Sequence, residues 1–146
     1  MFKKFQIFIL IVVYLVELLR NIDILYREPV ILASGALSNF YVDVKKAYGH
    51  PVVLDCIAES LAAVISPDVT CIAAMGYGGI SPASLISVKR NLYLTLVRDN
   101  PKGHGKGGWI DGYVPLSADK VAIVDDVFST GGSLRKITKN RSFGAA

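Results

Sequence analysis

The chain has little cysteine: Cys56 and Cys71 are its only two, fifteen residues apart and in apolar settings. They form no metal-ligand pattern, and they are expected to be buried thiols in a reducing compartment. It also lacks a basic stripe with interleaved aromatics, which argues against nucleic acid as a partner. The net charge of +4 does not alter that reading, because Arg135, Lys136, Lys139 and Arg141 supply four positive charges near the C-terminus with no acid among them. No apolar run reaches the roughly 20 residues needed to span a bilayer. The longest runs from Ile7 to Val16, with Phe5 just before it and Lys3 and Lys4 ahead, and no small-residue cleavage site follows. An apolar first helix, packed on the domain or on a partner subunit, fits this segment better than a membrane role. Disorder is excluded by 52% apolar and only 19% charged residues. At 146 residues there is room for one domain, 1–146, with an atypical apolar segment at 1–13 and a basic tail at 134–146. A chain of this size buries about two-thirds of its surface, enough for a real core.

The most informative stretch is residues 121 to 133, VAIVDDVFSTGGS. Val121, Ala122, Ile123 and Val124 read as a short buried parallel strand. Asp125 and Asp126 follow at its carboxyl end, where open α/β sheets place ligand sites. Val127 and Phe128 lead into Ser129, Thr130, Gly131, Gly132 and Ser133. Small hydroxylated residues with two glycines let backbone N–H groups close around a phosphate at a helix N-terminus. The carboxylates would repel a phosphate, so they suit hydroxyls or a metal ion, and a phosphorylated sugar satisfies both halves.

An apolar strand, two acids and a Thr-Gly-Gly loop resemble the phosphoribosyl pyrophosphate (PRPP) motif of type I phosphoribosyltransferases. The resemblance implies that the acids hold the ribose 2′ and 3′ hydroxyls and that the loop, Val127 to Ser133, holds the 5′-phosphate. Two further signatures narrow the family. Residues 30–32, VIL, and 40–44, FYVDV, read as two short strands joined by a Ser-Gly-containing turn. Leu32, Ser34-Gly35, Ser38, Phe40-Tyr41 and Asp43 are similar to the N-terminal signature of orotate phosphoribosyltransferases. There the hairpin is part of a hood over the pyrimidine base, which puts Phe40 and Tyr41, with Ser129, on the orotate side. The second signature is the polar, glycine-rich, cationic segment 98–108, which has nothing to pack a core and reads as a surface loop. It resembles that family's flexible catalytic loop, through Arg98, Lys102 and His104.

Between these signatures the chain alternates. The spacing through Val16 and Leu19 continues a helical pattern into VELLRNIDILY, residues 16–26. Residues 51–66 carry another, with Pro51 in the first turn and Pro67 ending it. Residues 69–75 form a buried strand, followed by Gly76-Tyr77-Gly78-Gly79 and a helix from roughly 82 to 89. The resemblance places pyrophosphate at the turn Gly76, Tyr77 and Gly78. A strand at 92–97 and a return strand at 109–114 flank the cationic loop. This order predicts an α/β protein with a mostly parallel, doubly wound sheet, the type I phosphoribosyltransferase fold with an N-terminal hood.

The resemblance implies transfer of the ribosyl 5-phosphate of PRPP to a nitrogen of orotate, giving orotidine 5′-monophosphate for pyrimidine synthesis. Arg98, Lys102, His104 and Asp125 would be the catalytic residues. Arg98 and Lys102 supply charge at the departing pyrophosphate, and His104 a proton near neutral pH. Mg²⁺ would arrive on the oxygens of PRPP, without a dedicated protein cage. A cytoplasmic homodimer with shared active sites is also implied. Departures from the family pattern remove positive charge: Asp99 stands where a second basic residue is frequent, and Gly78 and Ala33 where many members carry lysine. Family members also continue well past the Thr-Gly-Gly loop, so a C-terminally truncated chain with an incomplete sheet is expected, and a mis-assigned start would account for the apolar beginning. A type I enzyme for another base, a non-catalytic PRPP-binding protein and an inactive relic are the rival readings.

Overall fold

The computed structural model describes residues 2–31, 35–101, 103, 108–128 and 130–139, with side chains from Leu10 onward. The chain divides into two compact units, Met1–Ile57 and Ala58–Ala146.

The first unit opens with helix α1 (Phe2–Arg20). Among the described residues no helix is long and apolar enough to cross a membrane. The helical spacing expected through residue 26 stops early. Asn21 and Ile22 close the last turn with N–H bonds to Leu18 and Leu19 carbonyls at 3.2 Å, and the chain turns into strand β1 (Leu25–Tyr26). Strands β2 (Val30–Ile31), β3 (Leu37–Ser38) and β4 (Tyr41–Val42) follow. Their pairing also differs from the single hairpin expected. Val30 and Ile31 pair with Ser38 and Leu37, whereas Tyr41 and Val42 pair with Tyr26 and Leu25. The reason is that β1, which helical spacing disguised, supplies the partner for β4. Asp43 is not a strand residue: its carboxylate accepts the Lys46 N–H and caps the short helix α2 (Val44–Ala47). Lys46 in turn donates to the Asp23 carbonyl at 2.6 Å and lies 5.5 Å from the centre of the Tyr26 ring, tying α2 to the β1 end of the ribbon.

Helix α3 (Pro51–Val64) crosses from the first unit into the second, and Pro51 does occupy its first turn. The second unit then runs β5 (Cys71–Met75), α4 (Gly76–Arg90), β6 (Tyr93–Val97), β7 (Ile110–Gly112), β8 (Val121–Val124) and α5 (Gly132–Lys139). The sheet order is β7-β6-β5-β8, with β6, β5 and β8 parallel and β7 antiparallel to β6. The mostly parallel sheet expected from the sequence is therefore present. Strand β5 is central and buried on both faces, and its period of two divides the core. Ile72 and Ala74 point to one side, with Ala58, Ala83, Ile86 and Val124. Ala73 points to the other, with Val97 and Ile137, the anchor of α5. Short side chains on β5 let helices approach from both sides. The ends of α3 and α4 are joined by Arg90, whose guanidinium donates to the Ala62 and Ile65 carbonyls at 3.1 and 2.9 Å. These carbonyls lie where α3 ends and its own ladder no longer uses them.

A polar network closes the amino-terminal edge of this sheet. The Asp119 carboxylate accepts from the Thr70 hydroxyl at 2.7 Å, the Tyr113 hydroxyl at 2.7 Å and the Leu116 N–H at 2.8 Å. Thr70 also accepts the Lys120 N–H at 3.1 Å, so the turn before β8 is pinned to the start of β5. These donors hold Asp119 below the usual carboxylate range, Thr70 contributing most, and the bond from the Tyr113 hydroxyl to Asp119 pushes that phenol up to about 12. A carboxylate with a lowered folded pKa stabilises the fold above its unfolded value near 3.9, and that stabilisation is lost as pH falls through the folded value. Asp119→Asn should therefore unfold at a lower temperature than the native protein at pH 7. The gap should narrow as pH drops below about 4. Asp68, lowered to about 2 chiefly by Lys120 and then Ser66, titrates in both proteins and cancels from the comparison. Thermal unfolding across pH 3 to 7 checks this, and a gap independent of pH would contradict it.

Candidate functional site

Three parallel strands must end on one side of the sheet, and the carboxyl ends of β6, β5 and β8 carry most of the residues singled out in the sequence. β8 ends at buried Val124 and delivers Asp125 and Asp126. The Asp126 N–H donates to the Asp125 carboxylate at 3.0 Å, which turns the chain out of the strand. Val127 and Phe128 follow, both exposed, and α5 begins at Gly132 as the Thr-Gly-Gly pattern requires. Gly131 has φ +71°, and the Phe128 ring lies beside it, so that a Cβ there would sit 3.2 Å from the ring. Arg135, one turn into α5, donates to the Thr130 carbonyl and closes the loop from below.

At the end of β5, Met75 is extended and Gly76 takes φ +67°, reversing the chain into α4 without a spacer. The helix expected from residue 82 thus starts at residue 76. Glycine is a poor helix former, which hid the first turn from sequence reasoning. Here the glycines serve contact with β8. A Cβ on Gly79 would lie 2.5 Å from the Val124 carbonyl oxygen, and one on Gly78 would lie 2.1 Å from Asp126 Oδ1. The first turn of α4 is therefore packed against the Val124 carbonyl and the Asp126 carboxylate.

The third strand end, that of β6, continues into Arg98. Gly76 and Tyr77 share an open cleft of about 500 Å³ with Arg98, Asp99 and Asp111. Arg98 Nη2 forms an ion pair with Asp111 Oδ2 at 2.5 Å, and its backbone N–H donates to the Trp109 carbonyl at 2.8 Å. Its Nε is buried and has no hydrogen-bond partner among the described residues. A guanidinium held at one end by Asp111, and still about 40% exposed beside the cleft, suits an incoming anion. Asp99, at the rim of the cleft, pairs with Lys136 of α5, so the position that lacks a family cation is neutralised by a lysine from another element.

The structure thus brings together Gly76, Tyr77, Gly78, Arg98, Asp125, Asp126 and the loop through Val127, Phe128, Thr130, Gly131 and Gly132, with Ser133 in the first turn of α5. Lys102, His104 and Ser129 lie outside the described residues, as do Leu32, Ala33 and Ser34. Phe40 and Tyr41 belong to the first unit; Phe40 is exposed, and Tyr41 packs near Tyr26 with ring centres 6.3 Å apart. Sequence reasoning missed Asp111 and Lys136. An antiparallel return strand with an acid near its start is the signal that places Asp111 beside Arg98, whereas no local pattern marks Lys136. Among the described residues no three acids, histidines or cysteines gather into a metal cage. The adjacent carboxylates Asp125 and Asp126 are hard oxygen donors, which fits a cation that arrives already bound to a polyphosphate.

No protein-family model matches the chain. It is 39% identical over 125 residues to the orotate phosphoribosyltransferase of Methanothermobacter thermautotrophicus, covering 86% of this chain and 68% of that protein. Identity to the orotate phosphoribosyltransferase of Methanocaldococcus jannaschii is 36% over 125 residues, covering 86% and 70%. Among solved structures, the orotate phosphoribosyltransferase from Aeropyrum pernix superposes with a TM-score of 0.70 at 23% identity, over 89% of this chain and 76% of that one, a likeness of fold.

Two substitutions separate the roles in the cleft. Arg98→Ala should weaken binding of inorganic pyrophosphate about tenfold, the loss of one charge-assisted bond. Asp111→Asn should instead tighten it roughly threefold, because a negative charge some ångströms from the anion is removed. The pair is about 40% exposed on each side, so stability should fall by less than about 1 kcal/mol. Calorimetric titration with pyrophosphate reads both effects, and weaker binding in Asp111→Asn would mean that positioning of Arg98 outweighs charge.

Proposed function

This chain belongs to the orotate phosphoribosyltransferase family, and from that premise we propose that it joins orotate to PRPP, releasing pyrophosphate and forming orotidine 5′-monophosphate. The fold is that of the type I phosphoribosyltransferases. The observation that carries the reading is the convergence of three strand ends, bearing Gly76–Gly78, Arg98 and Asp125–Gly132, in a chain with this identity to orotate phosphoribosyltransferases.

In the proposed reaction a ring nitrogen of orotate bonds to C1 of the ribose as the bond from C1 to the pyrophosphate oxygen breaks. Positive charge grows on the sugar ring and negative charge on the leaving group. The residues that serve this step are those able to oppose these charges before the reaction begins. Arg98 lines the cleft beside the α4 turn, which supports a role at the pyrophosphate end. Lys102 adds a second cation and His104 a proton donor to the leaving oxygen, on the strength of the family motif. Asp125 and Asp126 accept from the ribose hydroxyls. The backbone N–H groups at the start of α5, with the Thr130 and Ser133 hydroxyls, receive the 5′-phosphate. Mg²⁺ bound to PRPP would offset the charge of the departing pyrophosphate, and the two carboxylates are the residues placed to approach it. Phe40 and Tyr41 are assigned to the orotate side by motif.

A homodimer with shared sites accords with the exposure of Ile31, Leu37 and Phe40 in the first unit, an apolar surface that a second copy would cover. A cytoplasmic setting accords with Cys71 as a fully buried thiol, the form expected in a reducing compartment.

The decisive assay is loss of orotate ultraviolet absorbance with purified protein, PRPP and Mg²⁺. Turnover is expected, and His104→Ala should lower kcat by about a hundredfold while leaving the KM for PRPP nearly unchanged. Asp125→Asn together with Asp126→Asn should do the reverse, raising the KM for PRPP with a smaller effect on kcat. A folded protein that binds PRPP but leaves orotate untouched would overturn the orotate assignment.

A further inference from the structure

We infer that Gly78 is a positioning residue whose missing side chain seats the Asp126 carboxylate against the first turn of α4, so that the pyrophosphate turn and the ribose-side acid act as one unit. This rests on the reading of Asp126 as a ligand of the ribose hydroxyls. A Cβ built on Gly78 meets Asp126 Oδ1 at 2.1 Å, Cγ at 2.2 Å and Oδ2 at 2.4 Å. All three carboxyl heavy atoms thus lie inside the volume of a methyl group. Non-bonded carbon contacts are comfortable only at about 3.5–4.0 Å. Any side chain at residue 78 therefore obliges the carboxylate to retreat by more than about 1 Å.

The neighbouring contact limits the other way out. Gly79 also lies close to the Val124 carbonyl, 2.5 Å from a built Cβ, and Val124 belongs to the buried core. The α4 backbone is consequently held against β8 at two successive residues, one contact on the strand and one on the acid that follows it. Displacing Asp126 is easier than moving α4, because Asp126 lies past the strand end and α4 carries Ala83 and Ile86 in the core. The carboxylate also sits at the amino end of a fifteen-residue helix, where its negative charge is favoured.

The resemblance sets lysine at residue 78 in many members of the family, where this chain has glycine. A lysine would add a cation beside a polyanionic substrate, and charge alone predicts tighter PRPP binding. Contact predicts the opposite, since the side chain would push Asp126 off its seat. The sign of the effect separates the two.

The test is a cycle of Gly78→Ala, Asp126→Ala and the double variant, with Gly78→Lys as a fourth protein. PRPP binding with Mg²⁺ is followed by calorimetry, and thermal unfolding is measured on each. Gly78→Ala should weaken PRPP binding tenfold or more, the scale expected for an ångström-size misplacement, with the KM for orotate unchanged. In the Asp126→Ala background the same substitution should change binding by less than twofold, because the colliding group is gone. Gly78→Lys should also weaken binding. Equal losses in both backgrounds, or tighter binding by Gly78→Lys, would overturn the inference. If Gly78→Ala fails to fold, folding of the double variant supports the inference and its failure overturns it. Thermal midpoints read the same cycle without substrate: Gly78→Ala should lower the midpoint only where Asp126 is present. Failure of the orotate assay alone would strike the proposed reaction and leave this cycle readable.

Discussion

Everything at the site depends on β5 being paired on both sides by parallel strands. Parallel pairing forces β6, β5 and β8 to finish at the same edge, and it does so regardless of how far apart they lie in sequence. Arg98, Gly76 and Asp125 are separated by more than twenty residues at each step, yet register sets Met75 opposite Val97 and Ala74 opposite Val124. The central strand that enforces this carries small side chains. Cys71, Ile72, Ala73 and Ala74 are all fully buried, and their small volume lets α4 lie close over one face while Ile137 of α5 anchors the other. Enlarging either alanine would separate the layers before it disturbed any residue that touches a ligand.

The charges at the strand ends are largely paired within the protein. Arg98 is committed in part to Asp111, and Lys136 to Asp99. Each pair is about half exposed and so contributes little to stability. What the pairs control is where charge is presented. Asp111 holds one end of the guanidinium beside the cleft, while Lys136 neutralises the acid at residue 99 and joins the root of the cationic loop to α5. The loss of a basic residue at 99 is thus not a bare negative charge beside a polyanion. It is a neutral pair linking two of the segments that converge on the cleft.

Much of this arrangement could be read from the sequence because the signals were local. VAIV is a continuous apolar run bounded by a lysine and two acids, and its strand boundaries agree with the structure residue for residue. The parallel order followed from alternating strand and helix patterns. Misreadings arose where local chemistry pointed away from the tertiary outcome. Gly76, Gly78 and Gly79 lower helix propensity, so α4 was expected six residues late; packing against β8 overrides that cost. The two-residue strands of the first unit are too short to carry a period, so β1 was absorbed into the preceding helix and the pairing of β4 was misassigned. Asp111 and Lys136 were invisible because their partners come from other elements.

The two edges of the sheet divide the labour between stability and chemistry. At the amino-terminal edge, Thr70, Tyr113, Asp119 and the Leu116 N–H satisfy one another, and Thr95 completes the interior by donating to the Tyr113 carbonyl at 2.7 Å. At the carboxyl-terminal edge the same sheet leaves a buried donor of Arg98 without a partner among the described residues, and a helix that starts on glycine instead of a capping side chain. Such incomplete satisfaction is unfavourable for an apo fold. It is tolerated where an incoming anion and its hydroxyls can complete the bonds, and the closed network at the opposite edge helps to offset it.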